Sequence, residues 1–128
     1  MAFSEELIEQ VWNKGRIISG YDENLVRKDC CGAWIVRDRY GDRNDDFGWE
    51  IDHVYPESKG GDDNIENLRP MQWKNNESKN DDYPSYASAV KADGNSNVEC
   101  QDRHTVNSVL QNKIQEIYKN EVESNKNF

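Results

Sequence analysis

The stretch from Trp49 to Asp81 constrains this chain most: W-E-I-D-H-V-Y-P-E-S-K-G-G-D-D-N-I-E-N-L-R-P-M-Q-W-K-N-N-E-S-K-N-D. Apolar and polar residues alternate from Trp49 to Val54, the period of a half-buried strand. Pro56 to Asn67 is turn-rich and carries Gly60-Gly61-Asp62-Asp63-Asn64. Leu68 to Gln72 reads as a second, short strand, which Pro70 confines to an edge because it lacks the amide donor. Trp73 to Asn80 then reads as a short polar helix.

Adjacent strand residues point to opposite sides. Asp52 and His53 therefore share one small site only if the strand ends or bulges there, which Pro56 favours. A carboxylate and an amide oxygen are hard donors that suit Mg²⁺ or Mn²⁺. One imidazole is too few nitrogens for a zinc site, but it suits a general base that takes a proton from water near neutral pH. A hard metal, a base and an open coordination sphere together describe metal-assisted phosphodiester hydrolysis.

Asp52-His53, Gly60-Gly61-Asp62, Asn67-Leu68 and Asn76-x-x-Lys79 stand in this order, with Asn67 14 positions after His53 and Asn76 9 after Asn67. The segment resembles the HNH (ββα-metal) nuclease motif in its H-N-N form, where Asn replaces the last His. It is similar to the HNH domains of RNA-guided CRISPR nucleases and phage homing endonucleases. The resemblance implies an α+β fold with a small ββα-metal core at residues 49–81, and an endonuclease that nicks one strand of DNA per active site. It makes Asp52 and Asn76 the metal ligands, His53 the general base, and Asn67 the brace that orients the base. Lys79 matches a lysine that touches phosphate. The cofactor implied is one divalent ion, Mg²⁺ first, with Mn²⁺ or Ni²⁺ as alternatives. Many small members carry two C-x-x-C pairs that hold zinc. Here Trp73 and Asn75 occupy that region, so no structural zinc is expected, and aromatic core and flanking helices must replace it.

The remaining chain reads as support for this unit, and its 128 residues suit one domain. Hydrophobic residues make up only 34%, offset by four Trp, six Tyr and three Phe, so a modest aromatic core is expected. A first helix should run from about Ser4 to Asn13, with Ser4 as N-cap. Ile17 to Asp29 reads as irregular, Ala33 to Val36 as a strand, and Tyr40 to Gly48 as a loop. Asp81 to Asn97 reads as loop with weak helical content around Tyr86 to Lys91. Val106, Val109, Leu110, Ile114, Ile117 and Tyr118 form a helical stripe, which predicts a last helix over about 102–120. That stripe serves as core, with a homodimer seam as the alternative. Residues 122–128 read as frayed, and His104 as a solvent-facing residue opening the last helix.

The charge argues against easy binding of a polyanion. The net charge is −9 with 16 basic residues against 25 acidic, and the excess of acid runs through the whole chain. Phosphate binding draws on Lys and Arg. Arg37, Arg39, Arg43, Lys59, Lys74 and Lys79 form a candidate phosphate track, of which Lys79, Lys59 and Arg43 lie best. Pairing with neighbouring acids is the competing reading for each. DNA is the expected partner, with RNA, or DNA presented by another protein, as alternatives; a non-catalytic scaffold that binds a basic partner is the competing function. Three cysteines without C-x-x-C spacing, no long apolar run and an acidic N-terminus point to a reducing cytoplasm and no membrane.

Overall fold

A computed structural model describes residues 2–119 of the chain. Residue 120, the expected end of the last helix, and the tail at 122–128 lie outside the described residues.

The organising element is an antiparallel hairpin of β3 (Trp49–His53) and β4 (Leu68–Gln72), in which Ile51 faces Pro70 and Asp52 faces Arg69. Among the described residues β4 pairs only with β3, so Pro70 removes no ladder bond from a second neighbour. The alternation along β3 divides the interior in two. Trp49 and Ile51 point to one side and pack with Ile8, Val11 and Trp12 of α1 (Glu5–Trp12), Ile35 and Leu68. On the other side Val54, Tyr55 and Met71 pack with Tyr86, Val106, Ile114 and Tyr118. Trp12, Trp49 and Tyr55 are all at most 2% exposed, and burying rings of this size contributes roughly 1.5–3 kcal/mol each.

α1 forms where its apolar residues recur at helical spacing, and Ser4 caps it by accepting from the Leu7 amide. β1 (Val26–Lys28) pairs with β2 (Trp34–Val36), so the end of the stretch expected to be irregular is a strand. α2 (Trp73–Lys79) follows β4 directly, and Gln72 caps it by accepting from the amides of Lys74 and Asn75.

The region expected as loop with weak helix is instead strand. β6 (Val90–Asp93) and β7 (Ser96–Glu99) form a hairpin around Gly94-Asn95, while β5 (Ser85–Ala87) pairs with β8 (Arg103–Thr105). β8 takes the residues that were expected to begin the last helix. α3 therefore starts later, at Ser108, with Asn107 as its cap, and runs to Ile117. His104 sits on β8, stacked on Tyr86 with its Nε2 3.0 Å from Ser88 Oγ, rather than facing solvent from a helix. These short polar strands pair across about 20 residues of chain, a contact that local periodicity does not encode.

The architecture is α+β, with helices set against small antiparallel sheets. No helix among the described residues is long and apolar enough to cross a membrane.

Candidate active site

The hairpin β3–β4 and the helix α2 place the motif residues. β3 ends at His53, and the two faces of the strand separate Asp52 from its neighbour. Asp52 points to the α2 side and is only 3% exposed. Arg69 Nε donates to its Oδ2 at 2.9 Å, directly across the hairpin, and Lys79 Nζ lies 3.2 Å from its Oδ1. Lys79 is fully buried and also donates to the carbonyls of His53 and Val54 at 3.1 and 3.2 Å. Burial lowers its pKa, against the opposing pull of Asp52. An ammonium so enclosed faces the protein interior, not a surface along which a phosphate chain could pass.

Asn76 lies one helical turn before Lys79 on α2, and its Nδ2 donates to Glu50 Oε1 at 3.0 Å. Glu50 and Asp52 share a face of β3, so two carboxylates and one amide line the α2 side of the hairpin. Burial works to raise the Glu50 pKa, but hydrogen bonds from Arg43 and Asn76 outweigh it and hold the carboxyl below its ordinary range. Arg43 grips both Glu50 oxygens at 2.8 and 3.0 Å and reaches Glu77 at 2.9 Å. Asn75, the other candidate of the Asn-Asn pair, is fully buried. It donates to Asp29 and to the Val90 carbonyl, and accepts from the amides of Ala89 and Val90. Asn76 is the asparagine with an outward-facing side.

His53 projects to the opposite side, towards Phe3 and the turn-rich loop. Its Nε2 is 2.8 Å from Asp63 Oδ1, and its Nδ1 is 3.8 Å from Glu57 Oε1. These three residues bring ligand atoms within 4.8 Å of one another. Asn67 is fully buried between strand and loop. Its Oδ1 accepts from the Tyr55 amide at 2.8 Å, while its Nδ2 donates to the Tyr55 and Asp62 carbonyls at 3.1 Å each. Gly61 makes this close packing feasible, since a Cβ there would stand 1.8 Å from the Tyr55 carbonyl oxygen.

A second buried network ties the site to the rest of the chain. Asp29, 1% exposed, accepts from the amides of Cys31, Ala33 and Gln72 and from Asn75 Nδ2. It links the turn before β2 to the start of α2. All three cysteines are free thiols.

Four participants escaped the sequence reading. Glu50 and Arg69 flank Asp52 only through strand alternation and hairpin register. Asp63 and Glu57 meet His53 because the loop folds back; the acidic pair after Gly60-Gly61 was the available signal.

Residues 44–85 match the family model described as HNH endonuclease, a match that supports an HNH-family domain over this part of the chain. No curated protein and no solved structure matches the chain.

The family implies a divalent metal, and the donor set can be tested for it. Glu50, Asp52 and Asn76 offer only hard oxygens on one face, and a second group, His53, Glu57 and Asp63, offers one nitrogen and two carboxylates. The all-oxygen set suits a hard cation such as Mg²⁺ or Mn²⁺, whereas the imidazole of the second set also suits Ni²⁺ or Zn²⁺. Asp52 would join a coordination sphere by exchanging its contacts with Lys79 or Arg69, whereas Asn76 needs only its free amide oxygen.

Proposed function

We propose that the chain is a metal-dependent endonuclease that hydrolyses phosphodiester bonds in DNA and nicks one strand per active site. The observation that carries this reading is His53. It stands at the end of β3 inside the HNH-family segment, with one ring nitrogen held by a carboxylate and the other beyond hydrogen-bond reach of any acid.

In this mechanism His53 takes a proton from water as the water oxygen bonds to phosphorus. The bond from phosphorus to the 3′ oxygen breaks, and that oxygen takes a proton from solvent. Asp52 and Asn76 would hold the cation, with Glu50 beside Asn76, across the end of β3 from His53. When bound, the cation supplies positive charge that stabilises the developing charge on the phosphoryl oxygens. Asn67 fixes the loop against which the imidazole rests. A base placed this way typically contributes 10²–10⁴-fold.

The test is supercoiled-plasmid nicking with Mg²⁺ or Mn²⁺ and with chelator, comparing wild type with His53→Ala and Asn76→Ala. Nicking that needs the metal and falls by roughly 10²–10⁴ in His53→Ala supports the reading. Undiminished nicking in His53→Ala removes His53 from the mechanism.

A second reading has its own observation. Asp52 is neutralised by Arg69 and Lys79, and the net charge is −9. Both favour a scaffold that binds a basic partner without turnover, or a nuclease whose DNA or RNA is delivered by another protein. Absence of nicking with any divalent metal, together with capture of a basic protein, selects this reading.

A further inference from the structure

We propose that Asp63 is a positioning residue that fixes the tautomer of His53 and so decides which ring nitrogen can act as the base. The inference rests on the nuclease reading above. Asp63 Oδ1 lies 2.8 Å from His53 Nε2. A carboxylate at this distance can only accept, so the imidazole proton must reside on Nε2. In the neutral ring that leaves the lone pair on Nδ1. Nδ1 has the Glu57 carboxylate 3.8 Å away, outside hydrogen-bond range, so it is open to a water. The atom that takes the proton is therefore Nδ1.

Asp63 is 57% exposed in its side chain, and an exposed acid on a free loop would hold a ring poorly. Its neighbour Asp62 removes that freedom. The Asp62 carbonyl accepts from buried Asn67 Nδ2 at 3.1 Å. The Asp62 carboxylate accepts from Tyr118 Oη at 2.5 Å and from the Asn64 amide at 3.1 Å, and its own amide donates to Tyr118 Oη at 3.2 Å. The residue before Asp63 is thus clamped by the motif asparagine on one side and by the end of α3 on the other. Tyr118 is itself buried and stacked on Tyr55, so the clamp is anchored in the core. Asp63 is presented to His53 by packing far from the ring.

The ring nitrogens report this directly. The chain has two histidines, so His53→Ala assigns the His53 signals in a ¹⁵N ring spectrum of the metal-free full-length protein. Above the imidazolium range, wild type should show one tautomer, with Nε2 protonated and Nδ1 bare. Asp63→Ala should move the two nitrogen shifts towards each other as tautomers mix, and Asp63→Glu should restore the separation. In plasmid nicking with Mg²⁺, Asp63→Ala should lower kcat by about 10–100-fold with KM changed less than about threefold, because orientation of the base acts in the transition state. Identical ring spectra in wild type and Asp63→Ala would overturn the proposal. So would a mixed tautomer in wild type. The expected ring spectra from a wild-type protein that nicks nothing would uphold the role of Asp63 and defeat the nuclease reading instead.

Discussion

At the residue scale, burial separates side chains that look alike in the sequence. Lys59, Lys74 and Lys79 all fall in the motif as candidate phosphate contacts, yet only Lys79 is fully buried. It holds Asp52 and two carbonyls at the end of β3. Removing one partner of a buried ion pair is costly, while losing an exposed lysine costs well under 1 kcal/mol. Lys79→Met should therefore lower stability by about 3 kcal/mol, Arg69 remaining to pair with Asp52. Urea denaturation would register this as a lower midpoint at unchanged slope. A cost within about 0.5 kcal/mol would place Lys79 on the surface after all. Arg43 illustrates the same distinction differently: it is half exposed but already engaged by Glu50 and Glu77.

At the scale of elements, α3 matters less as an apolar stripe than as the bearer of Tyr118. Its bond to Asp62 holds the loop that carries Asp63. The bond joins a phenol to a carboxylate, so it is present only while the phenol keeps its proton and the acid has lost its own. Tyr118 lowers the Asp62 pKa beneath 3.8, with help from the Asn64 amide. Burial, then the bond to Asp62, raises Tyr118 from 10.0 to about 12. An acid with a depressed folded pKa gives stability above its unfolded value and loses it as pH falls. A phenol with a raised one gives stability below its unfolded value and loses it as pH rises. Tyr118→Phe should therefore be less stable than wild type by a constant margin between about pH 4 and pH 10. The margin should shrink between pH 10 and about 12 and again below pH 3.8. Paired denaturation curves across pH measure it; a margin that persists undiminished at pH 12 would remove the phenol–carboxylate bond from the loop's support.

For the whole molecule, charge sets the limit on substrate binding. Arg37, Arg39, Arg43, Lys91 and Lys113 all pair with nearby acids. A cation held by an acid contributes less to displacing counterions from a duplex, and the net charge of −9 opposes the rest. Affinity for free DNA should fall with salt along a log–log slope no steeper than about −3, the behaviour of some three neutralised phosphates. Fluorescence anisotropy between 50 and 200 mM salt would measure the slope. A slope near −6 or beyond would show that more of the chain's cations act together on the duplex than the acidic balance suggests.

Local pattern was enough for α1, the β3–β4 hairpin and α2, because each rests on neighbouring residues: an N-cap, an alternation, a turn, a Pro-limited edge. The family likeness of the central segment was legible for the same reason. Gly94-Asn95 between β6 and β7 carried a turn signal that the polar composition around it obscured. Pairings across long stretches of chain were not legible, and β5 with β8 is the clearest case. The motif's spacing gave residue types in order, but not the directions of their side chains. Strand alternation sent Asp52 and His53 to opposite faces, and hairpin register put Arg69 on Asp52. Return of the loop, clamped from α3, brought Asp63 to the imidazole. Sequence alone determined which chemistry the chain carries, since that depends on residue identity and local spacing. Tertiary structure decided which of those groups meet, since that depends on contacts between residues distant in the chain.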